Sequence, residues 1–365
     1  MAEDKTNDTL KPGDTPKPSE PTIKPQPSFI SSASSSGSKT CVGLDIGTSH
    51  LVMARGNDNK VDMSKELNAF FTVPESKVTN NTLKANDIPF LEFENNFYIL
   101  GYAAQNFANM FHANLRRPVE NGIISPNEKE GVQVMHALID KVASKPDNFG
   151  QVLCYSIPGE PLEGKGSVVY HDKIMRQYLA GLGYKALSVN EAMAVVMAEL
   201  EDEGYTGIGV SMGGGMCNVC LSYLSVPVIT YSIQKGGDYI NKMAGESVGE
   251  PATTMKMIKE EQLNLATPPK DRLHTALNIF YEDVITSLIS SIQQVLSAAD
   301  RLPRIPKPIP IVLSGGTVLP GGFEKKFTDI LKKHALPIEI SKVKLAKNPL
   351  ESTAKGALAV ALAEV

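Results

Sequence analysis

The segment CVGLDIGTSHLVMAR, residues 41–55, decides the fold. An apolar strand runs into Asp45-Ile46-Gly47, turns through Thr48 and Ser49, and resumes as Leu51-Val52-Met53-Ala54. Two β-patterned runs joined by so short a glycine-containing turn predict a hairpin. A Walker loop or a dinucleotide-binding fingerprint needs a strand that leads into a helix, so this segment argues against both. The same pattern returns as GIGVSMGGGMCNVCLSYL, residues 207–224, followed by VPVITYSIQ, residues 226–234. Val42-Gly43-Leu44-Asp45-Ile46-Gly47-Thr48 and Ile208-Gly209-Val210-Ser211-Met212-Gly213-Gly214 match in position and character, 166 residues apart from Val42 to Ile208. A single copy at that distance predicts a duplicated domain, not a solenoid of short repeats.

Between and after the hairpins, the patterning alternates short apolar strands with amphipathic helices. Helices are expected over 127–145, 169–182 and 190–203, and a strand over 151–157. In the first helix Val132, Val134, Met135, Leu138, Ile139 and Val142 recur at helical spacing. A long helix is expected from Arg272 to Arg301, with Leu277, Phe280, Val284, Leu288, Ile292 and Val295 on one face. The strand PIPIVLSGG, a Gly/Pro turn, a helix over 322–334 and a packed Ala-rich helix over 351–365 complete the chain. The expectation is an α/β protein of two lobes, 40–187 and 188–349, with the final helix, 350–365, packing back onto the first lobe.

Composition narrows the function classes. The chain has 365 residues, 42% hydrophobic and 21% charged, enough for two globular domains. A formal net charge of -4 argues against a nucleic-acid-binding face, which needs clustered basic residues. No apolar run reaches the roughly 20 residues that span a bilayer, and no secretory signal pattern opens the chain. Four cysteines in this length make no disulfide framework, so a reducing cytoplasm is expected. Cys217 and Cys220 form a CxxC pair, but on a strand a spacing of three points the side chains to opposite faces. Residues 1–39 are rich in Pro, Ser, Thr and Lys, and are expected to form a disordered tail. The tail is either passive or a tether with a short partner motif near Phe29 and Ile30.

The chemistry lies in three glycine-rich turns, each after a strand. Glycine lets backbone N–H groups approach an anion closely because no Cβ intervenes. DIGTS supplies one cradle and SMGGG a second, so facing hairpins would grip a polyphosphate from both sides. Asp45, at the end of the first strand, is placed to hold Mg²⁺ through water, since that ion keeps much of its hydration. The third turn, LSGGTVLPGGF, opens toward a helix and suits the adenosine end of a nucleotide.

The set resembles the actin superfamily, which includes actin, sugar kinases and the ATPase domain of heat-shock chaperones. It is most similar to the bacterial MreB branch. The segments that carry the resemblance are GLDIGTSHLVMA, VNEAMAVVMAEL, GIGVSMGGGMCNVCL and IVLSGGTVLPGGF. RRPVENGII, SIQKGGDYI and NPLESTAKGALA match more weakly, and together the segments span residue 40 to the end. The resemblance implies a duplicated, ribonuclease-H-like fold with ATP or ADP and Mg²⁺ between its lobes. It implies that Asp45, Gly47, Thr48 and Ser49 contact phosphate and metal-bound water. Glu191 would position the attacking water, and Gly213, Gly214 and Gly215 would wrap the β- and γ-phosphates. Gly236, Gly237 and Asp238 would lie near the nucleotide, Lys256 beside ribose or adenine, and Ser314, Gly315 and Gly316 under the base. The plainer alternatives are a helix-terminal carboxylate for Glu191, a solvated face for Lys256 and a helix cap for Asp238.

Departures from the family pattern matter equally. Ser211 stands where the second phosphate motif carries Asp, so hydrolysis is expected to be slow at most: losing a positioned acid–base group costs about 10² to 10⁴ in rate. Met216 replaces a hydroxyl residue, and Thr253 and Thr254 replace acidic ones. Only about 33 residues, 239 to 271, separate the GGD turn from the long helix, so the upper subdomain of the second lobe looks reduced. The leading reading is an ATP-binding protein that self-assembles into filaments with an organising role. A nucleotide-sensing adaptor with weak or no hydrolysis comes second. A small-metabolite kinase lacks a clear base beyond Asp45 and Glu191, and a chaperone is disfavoured because the chain ends with the nucleotide domain.

Overall fold

The computed structural model describes residues 40–365 except positions 58, 112, 144, 164–166, 300, 301 and 304. The expectations for the tail, 1–39, and its partner motif lie outside the described residues.

The first half opens with a three-strand meander, β1 (Cys41–Ile46), β2 (His50–Gly56) and β3 (Val61–Leu67). A small sheet and two helices follow: β4 (Phe70–Pro74), α1 (Lys77–Ala85), β5 (Phe90–Phe93), β6 (Asn96–Leu100) and α2 (Gly101–Met110). The short pair β7 (Val119–Glu120) and β8 (Ile123–Ile124) leads to α3 (Gly131–Ala143) and β9 (Val152–Ile157). Then come α4 (Val168–Gly181), β10 (Lys185–Asn190) and α5 (Glu191–Glu199).

The second half repeats the plan with β11 (Gly207–Met212), β12 (Cys217–Tyr223) and β13 (Val226–Ile233). Three helices follow, α6 (Gly237–Val248), α7 (Ala252–Glu261) and α8 (Arg272–Ala298). Strand β14 (Ile309–Ser314), a 3₁₀ turn (Gly316–Val318), α9 (Phe323–Leu331), β15 (Ile340–Leu345) and α10 (Ser352–Ala363) end the chain.

Both large sheets share one topology. The first has the order β10-β9-β1-β2-β3 and the second β15-β14-β11-β12-β13. In each, the first three strands are antiparallel neighbours, and the two later strands join in parallel on the other side. The two-lobed α/β fold predicted from the repeated hairpin is the fold observed. Helix boundaries are trimmed by capping chemistry: Asn190 Oδ1 accepts from the Ala192 and Met193 N–H groups, so α5 starts at Glu191.

Each sheet carries a large core on one face. In the first, Val134, Met135, Leu138 and Ile139 of α3 pack on Leu44, Leu51 and Leu153. In the second, Leu277, Val284, Leu288 and Ile292 of α8 are buried as their spacing predicts, with Tyr281, Ile285 and Ile289 beside them. The inner faces take α10 and α5, respectively. Glycine makes this possible: a Cβ on Gly43 would lie 2.2 Å from Ala354 O, and one on Gly209 would lie 2.3 Å from Ala192 O. The two matching glycines therefore each seat one connecting helix.

Candidate functional site

A cavity of about 350 Å³ lies between the hairpin turns of the two lobes, within the size range of small-ligand sites. Its walls include Asp45, Gly47, Thr48, Ser49, Glu191 and Ser211. Gly213, Gly214, Gly237, Asp238, Lys256, Gly315 and Gly316 line it as well.

The two turns face each other at close range. A Cβ on Gly214 would meet Ser49 Oγ at 2.4 Å, and one on Gly215 would meet Thr48 Oγ1 at 2.5 Å. Gly215 therefore abuts the first lobe at Asn121 and Gly122 and does not line this cavity. Both turns are braced from behind. Asn68 Nδ2 donates to Gly47 O at 2.8 Å, and Gly122 N–H donates to Thr48 Oγ1 at 3.0 Å. The Gly213 carbonyl accepts from Gly237 N–H at 3.0 Å and Thr317 Oγ1 at 2.8 Å; the Gly214 carbonyl accepts from Asp238 N–H at 2.8 Å. Gly315, at φ +95, presses on the Met212 backbone at a distance no side chain permits.

Two carboxylates sit at the base. Asp45 Oδ1 accepts from Ser156 Oγ at 2.8 Å, and Oδ2 has no hydrogen-bond partner among the described residues. Glu191 Oε2 accepts from Asn218 Nδ2 at 2.8 Å and from Ser211 Oγ at 3.3 Å. Burial pushes Asp45 up to about 6. Burial, with the nearby Asp45 charge, pushes Glu191 up to about 8. Asn190 already caps α5, so the Glu191 carboxylate is free of that duty.

Cations surround the upper part. Lys259 is 7% exposed, and its Nζ donates to Gly237 O at 3.2 Å. Burial lowers its amine to about 8. His50 is held neutral, its pKa lowered to about 3 by burial and by the positive Lys65, Lys256 and Arg117. Lys65, Lys256 and Lys259 share this wall with Asp238 and Glu260, and amines gathered in this way can meet an anion. Lys256 keeps only a long 3.9 Å pairing with Glu260. Asn241, 4% exposed in the cavity wall, has a buried Oδ1 without a partner. Glycine cradles, crowded amines and an orphaned amide together suit a polyphosphate ligand with a polar appendage.

Two residues expected at the site, Gly215 and Ser314, do not line the cavity. Ser314 is fully buried behind the cavity, donating to Pro349 O at 2.9 Å. Asp238 does line the cavity, and its carboxylate also forms a salt bridge with Arg117 across the lobes at 2.7 Å. Several neighbours escaped the motif reading: Ser156, Asn218, Lys259, Thr317, Arg117 and Asn241. Lys259 stands three residues after Lys256 on the same helical face, a signal for a second amine though not for its contact with Gly237; Asn218 was a lone amide in an apolar strand. Cys217 and Cys220 do face opposite sides of β12, one in each of two cores. Among the described residues no group of three or more His, Cys, Asp or Glu side chains could hold a metal, and no helix is long and apolar enough to cross a membrane.

Comparison with known proteins bears on the family and the fold. A family model described as Volactin matches residues 41–361. No curated protein matches. Among solved structures, the MamK double helical filament is similar with a TM-score of 0.69 at 18% identity, covering 88% of this chain and 98% of that one. MreB5 of Spiroplasma citri bound to ADP is similar with a TM-score of 0.58 at 15% identity, covering 87% and 94%. The ethanolamine utilization protein EutJ from Carboxydothermus hydrogenoformans gives 0.54 at 16% identity, covering 90% and 92%. The shared fold is that of the actin-like ATPases.

Proposed function

The chain belongs to the Volactin family, and from that premise we propose that it binds ATP and ADP in the interlobe cavity and assembles into filaments that organise cellular structure. The observation that carries the reading is the pair of opposed glycine turns, Gly47–Ser49 and Gly213–Gly214, closing on a cavity with buried carboxylates at one end and amines at the other. The likeness to a filament of MamK over nearly that whole chain supports assembly.

In this reading the turn N–H groups bind the β- and γ-phosphates, and Lys256, Lys259 and the Gly315–Gly316 turn surround the nucleoside. Asp45 Oδ2 suits a hydrated Mg²⁺, which when bound shields phosphate charge. Glu191 orients water, but Ser211 supplies no second carboxylate, so hydrolysis is slow. The upper part of the second lobe is only α6, α7 and a ten-residue connection, which argues against assembly through the longitudinal contacts usual in the resembled filaments. The protein acts in the cytoplasm.

High-speed pelleting of the full-length chain without nucleotide, with ADP and with Mg–ATP tests the proposal. Nucleotide-dependent pelleting is the expected result. Material that stays in the supernatant under all three conditions would overturn assembly and favour the second reading, a nucleotide-sensing adaptor. Ser211, donating its hydroxyl to Glu191 where a carboxylate would act, is the observation behind that alternative. Ser211→Asp should then raise phosphate release.

A further inference from the structure

A run of buried polar contacts leads out of the cavity in a direction that nucleotide binding does not require. Asn218 is fully buried in β12 and is no part of the cavity wall. Its Nδ2 donates to Glu191 Oε2, and its Oδ1 accepts from Gly159 N–H, both at 2.8 Å. A backbone N–H can only donate, so the amide oxygen belongs toward Gly159 and the nitrogen toward Glu191. With Ser211 on the same oxygen, Glu191 Oε2 is held by two donors. Its Oε1 has no hydrogen-bond partner among the described residues.

Beyond Asn218 lies a seam between the lobes. Gly159 follows β9 of the first lobe, and residues 159–162 lie along the end of β13 in the second. Ser232 N–H donates to Glu160 O and Leu162 N–H to Ser232 O, each at 2.9 Å. Pro161 and Ser232 form a parallel bridge. Ser232 Oγ closes the seam by donating to Gly159 O at 2.8 Å. A Cβ on Gly159 would lie 2.6 Å from the Tyr231 carbonyl carbon, so only glycine allows this approach.

We propose that Asn218 is a positioning residue that ties Glu191 to this seam, so that the carboxylate facing the ligand and the contact between lobes are set together. What Glu191 faces rests on the nucleotide reading above; the tie itself does not. A buried Asn that only satisfies its own polar groups would leave the seam indifferent to residue 191. The tie makes the seam depend on it, because removing the acceptor leaves a buried Nδ2 unpaired. Asp45 on β1 and the Cys217 thiol on β12 are the other titratable groups facing Glu191, with Lys65, Lys256 and Lys259 further round the cavity lining. All samples are therefore compared at one pH.

The test is amide hydrogen exchange at Gly159, Leu162 and Ser232 in the full-length chain. Glu191→Leu should speed exchange there about fivefold or more. Glu191→Gln, whose amide oxygen still accepts from Asn218, should stay within about twofold of wild type. In an Asn218→Leu background the two Glu191 variants should no longer differ. Unchanged exchange in Glu191→Leu, or equal acceleration in both Glu191 variants, overturns the tie. If Asn218→Leu does not fold, the two single Glu191 variants decide the question alone. Labelled ADP titrated into the wild-type protein separates the two readings: no binding removes the nucleotide assignment, while the exchange data still judge the tie.

Discussion

Gly356 of α10 meets Ala194 of α5 so closely that a Cβ on Gly356 would lie 1.7 Å from the Ala194 carbonyl oxygen. The two connecting helices thus cross backbone to backbone at the centre of the molecule, one seated on each sheet. A methyl group cannot be absorbed by rotating a side chain, because the obstacle is main chain.

Gly356→Ala should therefore separate the helices and destabilise the protein by about 1–3 kcal/mol. Denaturant unfolding at fixed pH measures this. A variant as stable as wild type would show that the crossing relaxes freely.

Glu191 makes stability depend on pH. Its folded-state pKa lies above the unfolded one, so the folded protein keeps a proton that the unfolded chain has lost. That favours folding at low pH, and the advantage is lost as pH rises from the ordinary carboxylate range to about 8. Asp45 acts with the same sign over a lower window, up to about 6. Glu191→Gln should accordingly melt above wild type at pH 8, with the gap closing toward pH 5, in nucleotide-free protein. A gap independent of pH would assign the carboxylate a different environment.

Lys259 offers a second handle. Its buried amine is charged below about 8 and neutral above, so affinity for labelled ADP should fall as pH climbs from 7 to 9. Lys259→Met should weaken binding about tenfold at pH 7, in line with the loss of one hydrogen bond to a charged group, and should abolish that alkaline fall. Wild-type-like affinity in this variant would remove Lys259 from the ligand's surroundings.

How far the sequence could be read depended on whether a feature was local. Alternating apolar residues around Asp45-Ile46-Gly47 and again around Ser211-Met212-Gly213 declared two hairpins, and their equivalence declared the duplicated sheets, because strand patterning and turn glycines act within a few residues. The face of α8 was legible in its three-and-four spacing, although the buried stripe proved wider than its narrowest periodic reading. The roles of Asn218, Arg117 and Lys259 were not legible. Their partners stand 27, 121 and 22 residues away, and no local preference encodes such pairings.

By itself, then, the sequence determined the repeated strand–turn–strand unit, the apolar faces and the glycine turns, since each follows from backbone conformation and side-chain period. Only the tertiary structure decided which turns oppose each other, that Gly215 abuts the first lobe while Gly214 faces the cavity, and that Ser314 lies behind it. It alone decided the charge states of Glu191, Lys259 and His50. Desolvation depends on what the folded chain packs around a group, and that is settled only when distant segments meet.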